Sequence, residues 1–430
     1  MNCNTQNAKI AGITEESLII GVDIGSEIHF ARAFDWRGFE YSKKAFQFSN
    51  SDVGFNNFRI WMHDLQVKHQ KTVVIPGMEP TGHYWFNLGI FLQEQGIKPV
   101  LVNPHHVKKS KELDDNNPTK NDRKDPKVIA GLVSSGRFSY PYIPEGVYAD
   151  LRITSNLRFQ AQKELNRVLN RIARWLSIYF PEYKDVYGKR DSISGMMILR
   201  QASLPSDIVA LGVEGVNKIW RDAKLRAVGI KRATILVEAA KRSVGSREGV
   251  IAARMEIVTL LEDYETYSAR VNDLLQLIED MISEIPHVEK LLEIKGVGMK
   301  TVSGFIAEVG DISRFDNPKQ LQKLAGLAIV ENSSGKHKGK TKISKRGRKR
   351  LRYLLFEVAM SVVSKNDEFG TLHYYYTNRR DNPLKKIQSL IAIACKLIRV
   401  FFVIMTKGIS YDGDKLLADI KRPAMLATAV

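Results

Sequence analysis

Cysteine is scarce in this 430-residue chain. Cys3 and Cys395 are its two cysteines, too few for a disulfide framework and not arranged in a zinc-binding motif. Sparing use of cysteine is typical of proteins in a reducing compartment, so we expect a cytoplasmic location.

The chain also lacks the features of a leader peptide or a membrane span. Residues 1–12 are polar and have no signal-peptide core. The most apolar stretch, residues 387–405, is interrupted near its middle by Lys396 and Arg399, which a bilayer would penalise. We predict a buried amphipathic helix there and no membrane partner.

Acidic residues are outnumbered by basic ones. The chain has 47 Asp and Glu against 65 Lys and Arg, a net charge of +18. So strong a cation repels itself when free, and a nucleic acid is the natural polyanionic partner. Ribosome association and binding to a membrane surface are the alternatives. The length and the 44% hydrophobic content favour two or three domains with cores of their own.

Hydrophobic periodicity predicts an α/β domain in the first third of the chain. Apolar or alternating runs at residues 17–24, 28–34 and 41–48 indicate three strands. They are followed by helix, strand, helix, strand and helix, with the later strands at 71–78 and 98–102. This is the element order of the RNase H-like (RuvC-like) fold. The match in order is an analogy that favours this fold without establishing it. We assign this domain to residues 1–144.

The remainder is predicted to be helical. A linker domain at 145–288 begins with a long helix, rich in Arg and Lys, at 147–180 and ends with an apolar stripe at 257–285. The stripe has coiled-coil-like spacing and stops at Pro286. A core helix, a helical hairpin and a dimer seam all remain open. Residues 289–430 form the third, mainly α-helical domain.

Four carboxylates of the first domain are candidate metal ligands. Asp23 and Glu79 end two of the predicted strands, and Asp122 and Asp125 are three residues apart at a helix start. Such a cluster repels itself unless cations fill it, and Mg²⁺ prefers carboxylate and phosphate oxygens. We predict two Mg²⁺ ions, with Mn²⁺ able to substitute. Individually, each acid could be a turn or capping residue, and Asp125 before Pro126 is a plausible N-cap.

Two motifs of the third domain favour phosphate contact. Residues 291–301 have a helix-hairpin-helix pattern, in which a Gly-Val-Gly turn presents backbone N–H groups. A plain turn between helices is the alternative. A basic segment follows, and Ser344 is a predicted N-cap for a helix whose first turns carry cations that oppose the helix dipole. The predicted nucleic-acid contacts are Gly296, Gly298, Lys300, Lys336, Lys338, Lys340, Lys342, Lys345, Arg346, Arg348, Lys349 and Arg350.

Both ends of the chain resemble one family. Several short segments are similar to signatures of the DEDD transposases of insertion-sequence 110 type. They are residues 77–84, 120–125, 294–298, 310–315, 324–326, 334–335 and 343–347. That family includes Piv-like invertases and bridge-RNA-guided recombinases. The resemblance maps its four acids onto Asp23, Glu79, Asp122 and Asp125, and its nucleophile onto Ser334, with Ser333 as the adjacent rival. Pro126 departs from the family pattern. Because proline disrupts a helix that would run through Asp125, we expect Asp122 in the turn before the helix.

The resemblance implies an insertion-sequence transposase that cleaves and rejoins DNA through a covalent serine intermediate. It further implies a dimer or tetramer whose active site combines domains of two subunits, and a bridge RNA that pairs with donor and target DNA. One alternative is a junction-resolving nuclease that uses water with the same carboxylates. The other is a non-catalytic, nucleic-acid-binding regulator.

Overall fold

The computed structural model describes residues 3–42, 44–114, 125–331, 333–334, 337–339 and 341–426. The chain divides into two compact units, Met1–Ile143 and Pro144–Val430, called here unit 1 and unit 2. The predicted division into three domains stays a prediction.

Unit 1 is built on a six-stranded mixed sheet. Its strands are β1 (Ser17–Asp23), β2 (Ile28–Phe34), β3 (Phe46–Ser49), β4 (Val73–Met78), β5 (Val100–Val102) and β6 (Phe138–Ser139). In space their order is β3-β2-β1-β4-β5-β6. The first three strands form an antiparallel meander, whereas β4 and β5 run parallel to β1.

Helices cover both faces of this sheet. They are α1 (Cys3–Ala11), α2 (Asp52–Lys68), α3 (Trp85–Glu94), α4 (Pro104–Asp114) and α5 (Asp125–Ser134). Alternate residues of β1 point to opposite faces. Accordingly, Leu18, Ile20 and Val22 share a core with α2 and α3, and Ile19 packs with the apolar residues of α5.

The predicted order of strands and helices in this unit is confirmed, and the mixed α/β sheet is consistent with an RNase H-like fold. Helix α2 begins where the local sequence predicts, because the Ser51 side chain accepts a hydrogen bond from the Gly54 backbone N–H. Strand β3 is shorter than the alternation suggested, starting at Phe46 instead of residue 41. The short strand β6 was not predicted; two residues carry too little periodicity.

Unit 2 is largely helical. Its helices are α6 (Gly146–Tyr179), α7 (Tyr183–Val186), α8 (Ile193–Gln201), α9 (Pro205–Asp222), α10 (Ile230–Lys241), α11 (Val250–Ser283), α12 (Val288–Leu292), α13 (Met299–Val309), α14 (Pro318–Leu324), α15 (Lys349–Lys365), α16 (Asp367–Asn378), α17 (Lys386–Lys407) and α18 (Gly413–Leu426), with a 3₁₀ turn at Ile312–Arg314. Among the described residues between α14 and α15 lie the two-residue strands β7 (Ile329–Val330), β8 (Ser333–Ser334), β9 (His337–Lys338) and β10 (Lys342–Ile343).

Helices α6 and α11, each of 34 residues, pack against one another. The Trp175 indole N–H near the end of α6 donates to the Ala253 carbonyl near the start of α11, and Leu151 near the start of α6 shares a core with Ile278 near the end of α11. The two helices are therefore antiparallel. The ends of the predicted stripe are buried in two separate cores. Its middle, with Tyr264, Val271 and Leu274, is partly buried, and Leu277, beside the stripe, is 48% exposed.

The apolar helix α17 is long and apolar enough, by length and composition, to cross a membrane. Ile393, Leu397, Ile398 and Phe401 are nevertheless fully buried in the core of unit 2. The helix thus packs as a core helix of this unit, as its amphipathic sequence predicts.

Candidate carboxylate and nucleic-acid sites

Asp23 and Glu79 lie at the same edge of the unit 1 sheet. Strands β1 and β4 are parallel neighbours, and Val22 pairs with Met78 at the end of their register. Asp23 and Glu79 are the next residues of the two strands, so they follow side by side. Ile19, Gly21 and Asp23 alternate onto one face of β1, and this is the face that α5 covers.

The start of α5 brings Asp125 toward these two acids. Gly21 permits this approach, because a Cβ added at this position would lie 1.7 Å from the Pro126 carbonyl oxygen. A Cβ added at its register partner, Gly77, would meet the Val133 side chain of the same helix. Only a strand without side chains at these points can accept the helix so closely. Asp125 is the first residue of α5, directly before Pro126, the residue that Gly21 faces.

The electrostatics of this edge show that the acids and a lysine affect one another. Burial raises the pKa of Glu79 above its ordinary value; Lys111 lowers it and Asp125 raises it in turn. The Lys111 ammonium forms a salt bridge with the Asp125 carboxylate, whose side chain is only 14% exposed. Lys111, on α4, therefore supplies positive charge at a place where two carboxylates lie close enough to repel.

The donor chemistry of this edge fits a hard divalent cation. Asp23, Glu79 and Asp125 offer only carboxylate oxygens, the ligands that Mg²⁺ and Mn²⁺ take, and a cation already neutralises part of their charge. Asp122, the fourth predicted ligand, lies outside the described residues. Within the described part of the chain, no three His, Cys, Asp or Glu residues form a ready metal-binding group.

His29 forms a hydrogen bond with the turn that follows Asp23. This side chain is fully buried between Phe48 and Phe55, and its Nδ1 accepts a hydrogen bond from the Gly25 N–H at 3.2 Å. Burial lowers the pKa of His29, so the ring remains neutral and Nδ1 can accept. His29 was not predicted as a functional residue; a histidine on the buried face of a strand is the pattern that could have marked it.

Ser334 lies in a small β-structured arm of unit 2. Strand β7 pairs with β10, and farther along the arm β8 pairs with β9, with Ser333 opposite Lys338 and Ser334 opposite His337. Residues 335 and 336, which connect β8 to β9, lie outside the described residues, so the predicted contact Lys336 does too, as does Lys340. Both candidate serines therefore belong to a paired strand, β8.

The Gly-Val-Gly turn joins α12 to α13. Gly296 has a φ of +97° and its position faces the α15 backbone, so a Cβ there would lie 3.0 Å from the Val362 Cα. The Ser361 hydroxyl donates to the Gly296 carbonyl at 2.8 Å. Gly298 precedes α13 and a Cβ there would meet nothing within 4 Å. The turn is thus packed on one side and open at the start of α13, where Lys300 is exposed.

The basic helix begins later than predicted. Helix α15 starts at Lys349, with Arg348 as its N-cap, so the prediction that Ser344 is the N-cap was wrong. The backbone N–H groups of Ser344 and Arg348 instead donate to carbonyls at Ala328 and Leu324. These contacts hold residues 344–348 in a turn against the preceding segment, and a helix cannot form there.

The predicted phosphate contacts of this region differ in exposure. Lys342, Lys345, Arg346 and Lys349 are exposed, whereas Arg348 and Arg350 are partly buried. Arg348 donates to the Glu308 carbonyl, and its Nη1 lies 3.6 Å from the Glu308 carboxylate. Arg350 donates to the Ser155 carbonyl at 2.8 Å. These two arginines make contacts within the protein itself, and the nucleic-acid role of the whole set stays a prediction.

Two family models match this chain. The model of DEDD-type transposases of IS110 elements, described as a transposase, matches residues 20–181. A second, described as the transposase IS116/IS110/IS902 family, matches residues 288–374. The first covers the strands that carry Asp23 and Glu79 together with Asp125, and the second covers the arm and α15. The chain belongs to the IS110 family of DEDD transposases.

Curated relatives of this transposase agree. An insertion element IS116 protein from Streptomyces clavuligerus is 24% identical over 66% of this chain and 71% of its own length. The transposase for insertion sequence element IS1111A from Coxiella burnetii is 23% identical over 78% of each chain. A pilin gene-inverting protein from Moraxella bovis is 30% identical over 30% of this chain and 40% of its own. The activity of this protein is therefore that of a transposase or recombinase acting on DNA.

Three charged residues of this transposase were not among the predicted site residues. Lys111 and Glu308 carry no local signal, because their partners lie on other helices. Arg158 does carry one: it falls at helical spacing between Leu151, Ser155 and Ala161, all buried on one face of α6. A cation inside such a stripe marks a buried charge.

Proposed function

We propose that this transposase cuts and rejoins DNA through a divalent-metal site on the unit 1 sheet and a nucleophilic serine, Ser334. The observation that supports the metal site best is the placement of Asp23 and Glu79 at the ends of neighbouring parallel strands, with the Asp125 helix start packed over Gly21. In a chain of net charge +18, acids that lie at one edge of a sheet would hold a cation.

Asp23, Glu79, Asp125 and, on the sequence pattern, Asp122 would be the ligands of two Mg²⁺ ions, with Mn²⁺ able to replace them. Bound there, such ions would lower the pKa of an attacking hydroxyl and neutralise charge on the phosphodiester. The chain's own part is to orient these carboxylates. Gly21 admits the α5 start, and Lys111 neutralises Asp125 until another cation takes its place.

Ser334 would attack the scissile phosphorus. The bond between its hydroxyl oxygen and phosphorus forms, the bond from phosphorus to one deoxyribose oxygen breaks, the serine proton passes to solvent, and the released sugar oxygen takes up a proton. A hydroxyl of a second strand then reverses these changes and frees the serine. The phosphodiester energy is kept, so rejoining needs no ATP. The position of Ser334 in the arm and the family resemblance support this assignment; Ser333 is its neighbour and rival.

The proposed partners are DNA, further subunits of the same chain and a bridge RNA. The exposed cations near α15 and the open start of α13, as a helix-hairpin-helix, would contact DNA phosphates. The partly covered middle of α11 would form a coiled-coil seam in a dimer or tetramer, which the cytoplasmic enzyme would use to combine domains of two subunits. A bridge RNA would guide it to donor and target DNA, for which the family resemblance is the support.

The proposed metal ligands are tested by replacing each acid with its neutral isostere. Asp23→Asn, Glu79→Gln and Asp125→Asn should each lose strand cleavage in Mg²⁺ while binding to labelled DNA persists. Asp64→Asn, an exposed acid of the same unit, is the matched control and should cleave normally. Undiminished cleavage by the three variants, or cleavage in excess EDTA, would overturn the metal assignment.

A further inference from the structure

A small basic pocket lies within unit 2, between helices α6, α13 and α15. Its volume is about 200 Å³, below the range of about 300–1,000 Å³ that drug-sized ligands occupy. Four cations line it, together with two aromatic rings and a single carboxylate. The charged and aromatic lining residues are Arg158, Phe159, Lys163, Lys300, Arg350, Tyr353 and Glu357.

Arg158 is the buried base of this pocket. Its side chain is 8% exposed, and its Nε has no hydrogen-bond partner among the described residues. Burial lowers the pKa of Arg158, and the neighbouring Arg350 lowers it further. Since a guanidinium stays charged in proteins, a buried donor directed at no acceptor, beside a second cation, is costly unless an anion is supplied.

The other polar groups do not offer that anion. Glu357 accepts a hydrogen bond from the Tyr353 hydroxyl at 2.8 Å. Glu308 lies 3.7 Å from the Arg350 Nε, away from the pocket lining. The Phe159 ring has the Arg350 guanidinium 4.7 Å and the Lys163 ammonium 4.6 Å from its centroid. The ring thereby contacts two of the cations that line the pocket.

We propose that this pocket binds one phosphodiester group of a nucleic-acid strand, with Arg158 and Arg350 at its base and Lys163 and Lys300 at its rim. The inference rests on nucleic acid as the partner of this transposase and adds a defined contact point. A phosphate with its sugar fits the volume. The exposed Tyr353 ring stands at the rim, where a base of the same strand could stack. Lys300 belongs to the first turn of α13, so the open Gly298 turn lies next to the same strand.

The test measures the binding of the full chain to a labelled single-stranded 20-mer by fluorescence anisotropy across a salt series. Arg158→Met should weaken binding about tenfold and reduce the slope of log K against log salt by about 0.7, the value for one phosphate contact on a single strand. Arg174→Met, an exposed cation farther along α6, is the matched control and should leave the slope unchanged. Equal slopes for Arg158→Met and the wild type overturn the proposal.

Thermal unfolding without nucleic acid separates a binding role from a structural one. Arg158→Met should be at least as stable as the wild type, because a repelled buried charge is lost. If the variant instead fails to fold, Lys163→Met at the rim replaces it and must reduce the slope; an unchanged slope there overturns the proposal.

Inorganic phosphate is the second probe. If it stabilises the wild type and not Arg158→Met while strand binding keeps its slope, the pocket takes a free anion and the proposal fails. If the wild type does not cleave DNA but Arg158→Met shows the expected change in slope, only the serine or metal assignment is refuted and the pocket proposal stands.

Discussion

Replacing Lys111 with methionine removes one positive charge from the carboxylate edge and keeps most of the aliphatic stem. Lys111 lies against Asp125 and lowers the pKa of Glu79. Without it, the pKa of Glu79 rises further above its ordinary value of 4.5, because burial and Asp125 act unopposed. The folded variant should therefore be less stable at neutral pH, where the carboxylates repel.

The expected magnitude follows from exposure. Lys111 is 38% exposed and Asp125 14%, so solvent screens the pair in part and it should contribute about 1 kcal/mol, the upper end for exposed pairs. For a unit of this size, that is a fall in Tm of about 4 °C. An acid whose pKa is raised by folding binds protons more tightly in the folded state. Stability therefore falls as pH rises from 4.5 through the folded pKa, and the deficit of the variant should grow along this window.

The assay is thermal unfolding of both proteins at pH 5 and pH 7.5, with and without Mg²⁺. Lys111→Met should lose stability mainly at pH 7.5, and Mg²⁺ should restore more of it than in the wild type, since the ion no longer competes with the lysine. Lys108→Met, an exposed lysine of the same helix, is the control. A deficit that is equal at both pH values, or equal in the control, would refute the reasoning.

Three further results are expected. Neutralising the exposed Lys345, Arg346 and Lys349 together should flatten the log–log salt dependence of duplex DNA binding by up to about three units, and an unchanged slope would show that these cations do not contact phosphate. Gly21→Ala should destabilise unit 1 by about 1–3 kcal/mol or more, measured by urea unfolding, because the new Cβ meets the α5 backbone; wild-type stability would contradict the packing described here. Leu277→Glu, at a half-exposed position of α11, should yield smaller species in sedimentation without unfolding, and an unaltered oligomer would exclude a seam at that residue.

The sheet could be predicted because its signals are local. Strands such as Ser17–Asp23 and Ile28–Phe34 show the apolar or alternating pattern of strands, and Ser51 caps its helix through its own side chain. The register that sets Asp23 beside Glu79 follows from strand order, since the ends of parallel neighbours meet at one edge. The parallel pairing and the two acids at strand ends were therefore accessible from the sequence.

What could not be predicted depends on contacts between distant segments. Ser344 has the chemistry of an N-cap, but backbone hydrogen bonds to residues 324–328 hold its segment in a turn. Lys111 reaches Asp125 only because α4 packs on α5. Arg350 is spaced like a surface cation, yet it donates to Ser155, almost 200 positions earlier. Charge and spacing alone do not reveal that a predicted phosphate contact such as Arg350 also donates within the protein.

The serine nucleophile is tested most directly by trapping its covalent product. A DNA substrate nicked beside the cleavage point loses its short strand by diffusion, so rejoining fails and a Ser334–DNA phosphodiester accumulates. We expect an adduct that survives denaturant, disappears after protease digestion, and is located at Ser334 by mass spectrometry. Ser334→Ala should lose both adduct and cleavage, whereas Ser333→Ala should keep both. Normal cleavage by Ser334→Ala, with no adduct from the wild type, would contradict the account and assign the attack to water.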